Sequence, residues 1–190
     1  MAVPPSPDLL AAGQRALRKF GYAGATVERI ASEAGLSRVT LHRRGVTKDA
    51  ILHALAQEAE AQYREAMWPA LTGDGTARAR LELALDALCE SAEANLELLV
   101  ALRAQTDSVF HEPGDEALTR SVFTEPLERL LRDGAADGTL RTTDPLETAT
   151  VLFNLVGWTY IHLRTGHGWR PERARRATLD IALNGVSVSP

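Results

Sequence analysis

At 190 residues and 45% hydrophobic, the chain can bury a sizeable core without covalent staples, and its single cysteine, Cys89, excludes an intrachain disulfide or a zinc site of clustered thiolates. No stretch approaches the ~18 uncharged apolar residues of a membrane span, and the start MAVPPSPDLLAAGQ lacks a basic segment leading into a long apolar run, so a soluble, cytoplasmic protein without a membrane partner is expected. The net charge of −4 excludes a uniformly basic nucleic-acid binder, yet residues 1–56 hold eight basic and four acidic side chains while the remainder is strongly acidic. That division suits a phosphate-binding headpiece on a non-binding body; charges scattered over a solvated face would also produce it.

Helical periodicity dominates in chain order, and no alternating run of β-branched and aromatic residues suggests a strand, so an all-α fold of about nine helices is expected. The first helix starts at Pro7 behind Ser6 as N-cap, gathers Leu9, Leu10, Ala16, Leu17 and Phe20 on one face, and stops at Gly21. Thr26 caps a short second helix, VERIASEA, and Gly35 turns the chain into a third, RVTLHRR, capped by Ser37. Thr47 caps a fourth running from Lys48 until Pro69. A helical stretch from 77 to 104 has a candidate interruption at Asn95, and HEPGDE breaks the pattern around Pro113 and Gly114. A seventh helix is expected over 116–136. Asp144, Pro145 and Glu147 open an eighth over 145–165, and Pro171 opens a ninth over 171–184.

The second and third helices, joined by AGLS, have small residues at the crossing (Ala31, Ala34, Gly35) and apolar ones facing inward (Val27, Ile30, Leu36, Leu41), the pattern of a helix-turn-helix. Its solvent side presents Arg38, Val39, Thr40, His42, Arg43 and Arg44, behind the capping Ser37. Guanidinium groups can pair with guanine or phosphate, and a valine or threonine methyl can meet the thymine methyl. Thr26 serves equally as a plain N-cap or a phosphate contact.

Through LLAAGQRALRKFGYAGATVERIASEAGLSRVTLHRRGVTKDAI the sequence resembles the tetracycline-repressor (TetR) family, and LLRDGAADGTLRTTDPLETATVLFNLVGWTYIHL is similar to that family's seventh and eighth helices. The resemblance implies a DNA-binding domain over 1–50 and a ligand-binding and dimerisation domain over 51–190. It also implies that Arg38, Val39, Thr40, His42 and Arg43 face DNA and that Lys48 touches phosphate. The partners it implies are double-stranded operator DNA, a second copy of the chain and a small-molecule effector, with repression the family's commoner habit. Where the family usually reads leucine, tyrosine, arginine, tyrosine, phenylalanine, this chain has Leu41, His42, Arg43, Arg44 and Gly45, so an unusual operator contact pattern is expected. The alternative is an all-α ligand- or partner-binding protein whose headpiece no longer binds DNA.

In the body the resemblance makes Tyr63, Met67, Trp68, Leu88, Cys89, Leu102, Phe110 and Phe123, with the polar Arg103, His111 and Asn154, candidates for a ligand pocket, although apolar stripes at this spacing far more often make a core. The eighth helix is apolar almost all round, so Leu152, Leu155, Val156, Trp158, Thr159 and His162 need cover, and a partner subunit supplies it together with Ile181 of the ninth. The five histidines show no HExxH spacing, and neither a Gly-rich phosphate loop nor GxSxG is present, so no catalytic role, metal or cofactor is expected.

Overall fold

The computed structural model describes residues 5–105, 110–112 and 115–185. Within them the elements run α1 (Pro7–Gly24), α2 (Val27–Glu33), α3 (Arg38–Arg43), α4 (Lys48–Thr72), α5 (Ala77–Ala94), α6 (Leu96–Gln105), β1 (His111–Glu112), β2 (Asp115–Thr119), α7 (Ser121–Asp137), α8 (Pro145–Thr165) and α9 (Pro171–Asn184).

The all-α reading stands with one local exception. β1 and β2 pair antiparallel, His111 opposite Thr119 and Glu112 opposite Asp115, and the Arg120 amide closes the segment on the Phe110 carbonyl oxygen at 2.8 Å. The expected break at Pro113 and Gly114 lies outside the described residues. The seventh helix therefore starts at Ser121 rather than 116, because the backbone groups of 115–119 are taken up by cross-strand pairing.

Local signals account for most helix ends. Asp144 accepts from the Glu147 amide at 3.0 Å, Thr47 from the Ala50 amide at 3.1 Å, and the helical dihedrals of α1 fail at Gly21. Ser6 makes no side-chain cap, so α1 begins on Pro7 alone. Pro69 lies inside α4 instead of ending it, and the helix continues to Thr72.

Two compact units form. Of the described residues, the first comprises 5–61 and 95–105, the second 62–94, 110–112 and 115–185. The headpiece unit thus differs from the expected 1–50 domain by recruiting the start of α4 and the whole of α6. Its core joins Leu9, Ala12, Ala16 and Leu17 of α1 to Ile30 and Ala31 of α2, Leu41 of α3, and Ile51, Leu52 and Leu55 of α4, with Leu98, Ala101 and Leu102 of α6 completing it. In the second unit α5, α7, α8 and α9 pack on one another. Glu93 of α5 is clamped by Arg164 of α8, which donates to its two carboxylate oxygens at 2.7 and 2.8 Å, while the Tyr160 hydroxyl donates to one of them at 2.9 Å. The Arg164 hydrogen bond is the main cause holding the Glu93 carboxyl below its ordinary pKa. No helix among the described residues is long and apolar enough to cross a membrane.

Candidate nucleic-acid interface

The turn between α2 and α3 is closed by backbone geometry that only a few residues allow. Gly35 adopts φ +66°, its amide bonds to the Ser32 carbonyl oxygen at 3.1 Å, and the Leu36 amide reaches that of Ala31 at 2.8 Å. The same closure recurs at the end of α3. Gly45 (φ +65°) donates to the His42 carbonyl oxygen at 3.0 Å, Val46 to that of Leu41 at 3.1 Å, and Val46 is buried. Gly45 thus ends the recognition helix where the resembled family has an aromatic residue, and Val46 takes a place in the headpiece core.

Both expected caps form. The Thr26 hydroxyl oxygen accepts from the Arg29 amide at 3.3 Å, and that of Ser37 accepts from the Thr40 amide at 3.1 Å, its oxygen lying 2.9 Å from the Thr40 hydroxyl. These bonds orient α3 so that Leu41 is 0% exposed while Val39 is 65% exposed. Ser37, Arg38, His42, Arg43 and Arg44 are exposed as well, and Thr40 is half-buried. Ser37, Arg38, Val39, Thr40, His42, Arg43 and Arg44 thus lie on α3 and its two caps, whereas Thr26 caps α2 and Lys48 opens α4.

The basic side chains divide into two groups. Arg29 donates to the Gly24 carbonyl oxygen at 2.8 Å and lies over the Phe20 ring, and Arg15 and Lys19 both engage Glu33, so these three brace α1 against the start and end of α2. Lys48 belongs with them: its ammonium donates to the Tyr22 carbonyl oxygen at 2.5 Å and sits 3.6 Å from the Tyr22 ring centroid. Its partial burial lowers the ammonium pKa, against the opposing charge of Asp49. Arg43 and Arg44, by contrast, make no ion pair among the described residues. Arg38 pairs with Glu28 of α2, Nη1 to Oε1 2.9 Å. Sequence reasoning passed over Glu28 because its partner lies on another helix; the acidic residue at the start of α2, ten positions before the first residue of α3, was the available signal.

The body candidates do not converge as one group. Tyr63 is buried, its hydroxyl donates to the Phe123 carbonyl oxygen at 2.8 Å, and burial raises its pKa. Tyr63, Phe110, Phe123, Phe153 and Trp158 form a continuous set of ring contacts with centroids 5.2–6.3 Å apart. Met67, Leu88 and Cys89 are buried in the same unit, the Cys89 thiol being pushed up to about 12 chiefly by burial. His111 is half-buried. Asn154 donates to the Thr150 carbonyl oxygen at 2.9 Å and approaches the Thr119 hydroxyl at 3.4 Å. Trp68 stands apart at 65% exposed, because its position on α4 faces outward from that core. Leu102 and Arg103 belong to the headpiece unit, where Leu102 fills the core and Arg103 is exposed.

On α8, Leu152 and Val156 are buried within their own unit and Trp158 is half-buried, whereas Leu155, Thr159 and His162 are exposed. Exposed Val151, which sequence reasoning missed, extends that outer stripe by one turn, and Ile181 is exposed on α9. Among the described residues no group of three or more His, Cys, Asp or Glu side chains is placed to hold a metal ion.

A short two-helix corner with an outward basic helix, carried by a chain otherwise built of packed helices, defines the helix-turn-helix class. Residues 9–55 match the model of the bacterial regulatory proteins of the tetR family. The whole chain is similar to a TetR/AcrR-family transcriptional regulator from Thermobifida fusca (18% identity, TM-score 0.74, covering 95% of this chain and 97% of that one). It is similar also to the TetR-family regulator PfmR from Thermus thermophilus (24%, 0.73, covering 96% and 100%). A third similar structure is the transcriptional regulator FadR from Bacillus subtilis, solved in complex with stearoyl-CoA (18%, 0.74, covering 95% and 98%). No curated protein sequence matches the chain. Residues 9–55 thus match the N-terminal domain of the tetR family, and the chain has the fold of the TetR-family structures.

Proposed function

We propose that the protein is a ligand-responsive transcriptional repressor that binds palindromic operator DNA as a homodimer and is released by a small molecule. The observation that carries this reading is the orientation of α3: its apolar Leu41 is sealed in the core while Arg38, Val39, His42, Arg43 and Arg44 face solvent. Arg38 and Val39, at the N-terminal end of the recognition helix, read base edges, as that end does in helix-turn-helix proteins. Arg43 and Arg44 neutralise phosphate, with Thr26, Ser37, Thr40 and His42 flanking them. Lys48 acts first as a strut between α1 and α4. The exposed stripe of Val151, Leu155, Thr159 and His162 on α8, with Ile181 on α9, meets its copy in a two-fold dimer that sets the half-site spacing.

The effector is held in the body, where Tyr63, Met67, Leu88, Cys89, Phe110, His111, Phe123 and Asn154 are the candidates. FadR, of the same fold, is complexed with stearoyl-CoA, which supports a small-molecule effector. Ligand binding shifts the dimer toward a geometry in which the two α3 helices no longer match adjacent major grooves. Coupling is reciprocal, so operator DNA weakens ligand binding by the same factor.

Selection of bound duplexes from a random pool, with and without candidate ligands, tests this. A salt-sensitive palindromic consensus that is lost with a ligand supports it. Indifference to every duplex at low salt overturns it.

A further inference from the structure

The pairing of Glu28 with Arg38 crosses the corner between the two helices of the motif. Glu28 is the second residue of α2 and Arg38 the first of α3, and their oxygen and nitrogen are 2.9 Å apart with both side chains largely exposed. The carboxylate is itself held. Its own backbone amide, then the Thr26 hydroxyl, and then Arg38 lower its pKa, which favours the charged form. An exposed ion pair of this kind adds little to stability. A carboxylate beside DNA also repels phosphate, so affinity does not explain its pairing with Arg38, and its place in the first turn of α2 explains the carboxylate but not the pairing.

We infer that Glu28 is a positioning residue that sets base specificity by holding the Arg38 guanidinium toward the base edge and denying it to the phosphates. The inference rests on the reading of α3 as the DNA-reading helix. An unpaired arginine at the start of α3 could meet either a guanine edge or a nearby phosphate, and the second contact is blind to sequence. The Glu28 carboxylate removes that choice in two ways. It fixes the rotamer before encounter, so less side-chain freedom is lost on docking. It also places a negative charge where a phosphate would have to approach the guanidinium, which penalises non-specific complexes more than the specific one.

The experiment uses the full chain and a duplex obtained by selection with the unmodified protein. Fluorescence anisotropy across a salt series is measured for the unmodified chain, Glu28→Gln, Arg38→Ala and the double variant, on that duplex and on its single-base substitutions. Arg38→Ala locates the base pair that Arg38 reads. Glu28→Gln is expected to lower preference at that same pair roughly fivefold or more, to strengthen binding to unrelated duplexes, and to steepen the salt dependence by about one phosphate contact. In the Arg38→Ala background Glu28→Gln is expected to leave base preference unchanged, which a purely structural role for Glu28 would not produce. Unaltered preference and salt slope in Glu28→Gln overturn the inference while leaving the DNA-binding reading intact. Failure of the unmodified chain to select any duplex overturns both.

Discussion

The ammonium of Lys48 at the start of α4 donates to the carbonyl oxygen of Tyr22 and lies against that residue's ring, joining the end of α1 to a helix 26 residues further on. A lysine so engaged holds the headpiece together before it meets any ligand. Lys48→Ala is expected to destabilise the protein by about 1–2 kcal/mol, from the lost hydrogen bond and cation–ring contact, measured by chemical denaturation. Operator affinity should fall on all sequences alike with the salt slope unchanged. A slope lower by about one would show that the ammonium leaves Tyr22 to neutralise a phosphate.

Leu41 and Val39 lie two positions apart on α3 with opposite exposures, and their substitutions should separate folding from recognition. Leu41→Ala is expected to cost about 2–5 kcal/mol of stability through the cavity it leaves. Val39→Ala should change stability by less than about 0.5 kcal/mol yet weaken binding to the selected operator. Denaturation curves paired with anisotropy titrations check both, and a stability loss at Val39 as large as at Leu41 contradicts an outward α3.

Gly45 ends the recognition helix in a left-handed conformation that an L side chain enters at a cost. Gly45→Ala is expected to destabilise the headpiece by ~1–2 kcal/mol. Hydrogen exchange should show the loss concentrated at the Gly45 and Val46 amides, which close on the His42 and Leu41 carbonyl oxygens, and unaltered protection at both would refute the assignment.

The Glu93 and Arg164 pair predicts an acid-side loss of stability. Folding lowers the Glu93 pKa, so its contribution is fully present above the unfolded-state value and disappears as pH falls through the folded-state value. Glu93→Gln should be less stable than the unmodified protein near neutrality by about 1–2 kcal/mol, discounted for the partial exposure of both groups. The two denaturation midpoints should converge in acid. A gap that persists at the lowest accessible pH would assign the effect to shape rather than charge.

Leu155 and Ile181 expose apolar surface on α8 and α9. Leu155→Glu is expected to convert a dimer to monomers in sedimentation velocity without loss of helical circular dichroism, and with it to abolish cooperative binding to the palindrome. A Leu155→Glu protein that remains dimeric would place the interface elsewhere.

What the sequence disclosed follows the range of the forces involved. Thr26, Ser37, Thr47 and Asp144 were legible as caps because each bonds to an amide three residues away, and Gly21 and Asn95 were legible as interruptions for the same local reason. The β1 and β2 pairing was not, because two short strands carry no periodicity and depend on their partner. Trp68 reads as core by composition, but only the packed body shows it on the outside. The side chains facing outward from α3 could be read from that helix itself, whereas the roles of Lys48 and Glu28 come from partners on other helices.

The headpiece core is closed by Leu98, Ala101 and Leu102, which the chain delivers only after an excursion through residues 62–94. A fragment cut after residue 56 would leave bare the side of α1 against which α6 packs, and is expected to precipitate or melt when expressed alone. Grafting this reading head onto a foreign sensor therefore takes two splices, since a transplant carrying only the N-terminal stretch omits part of its own wall.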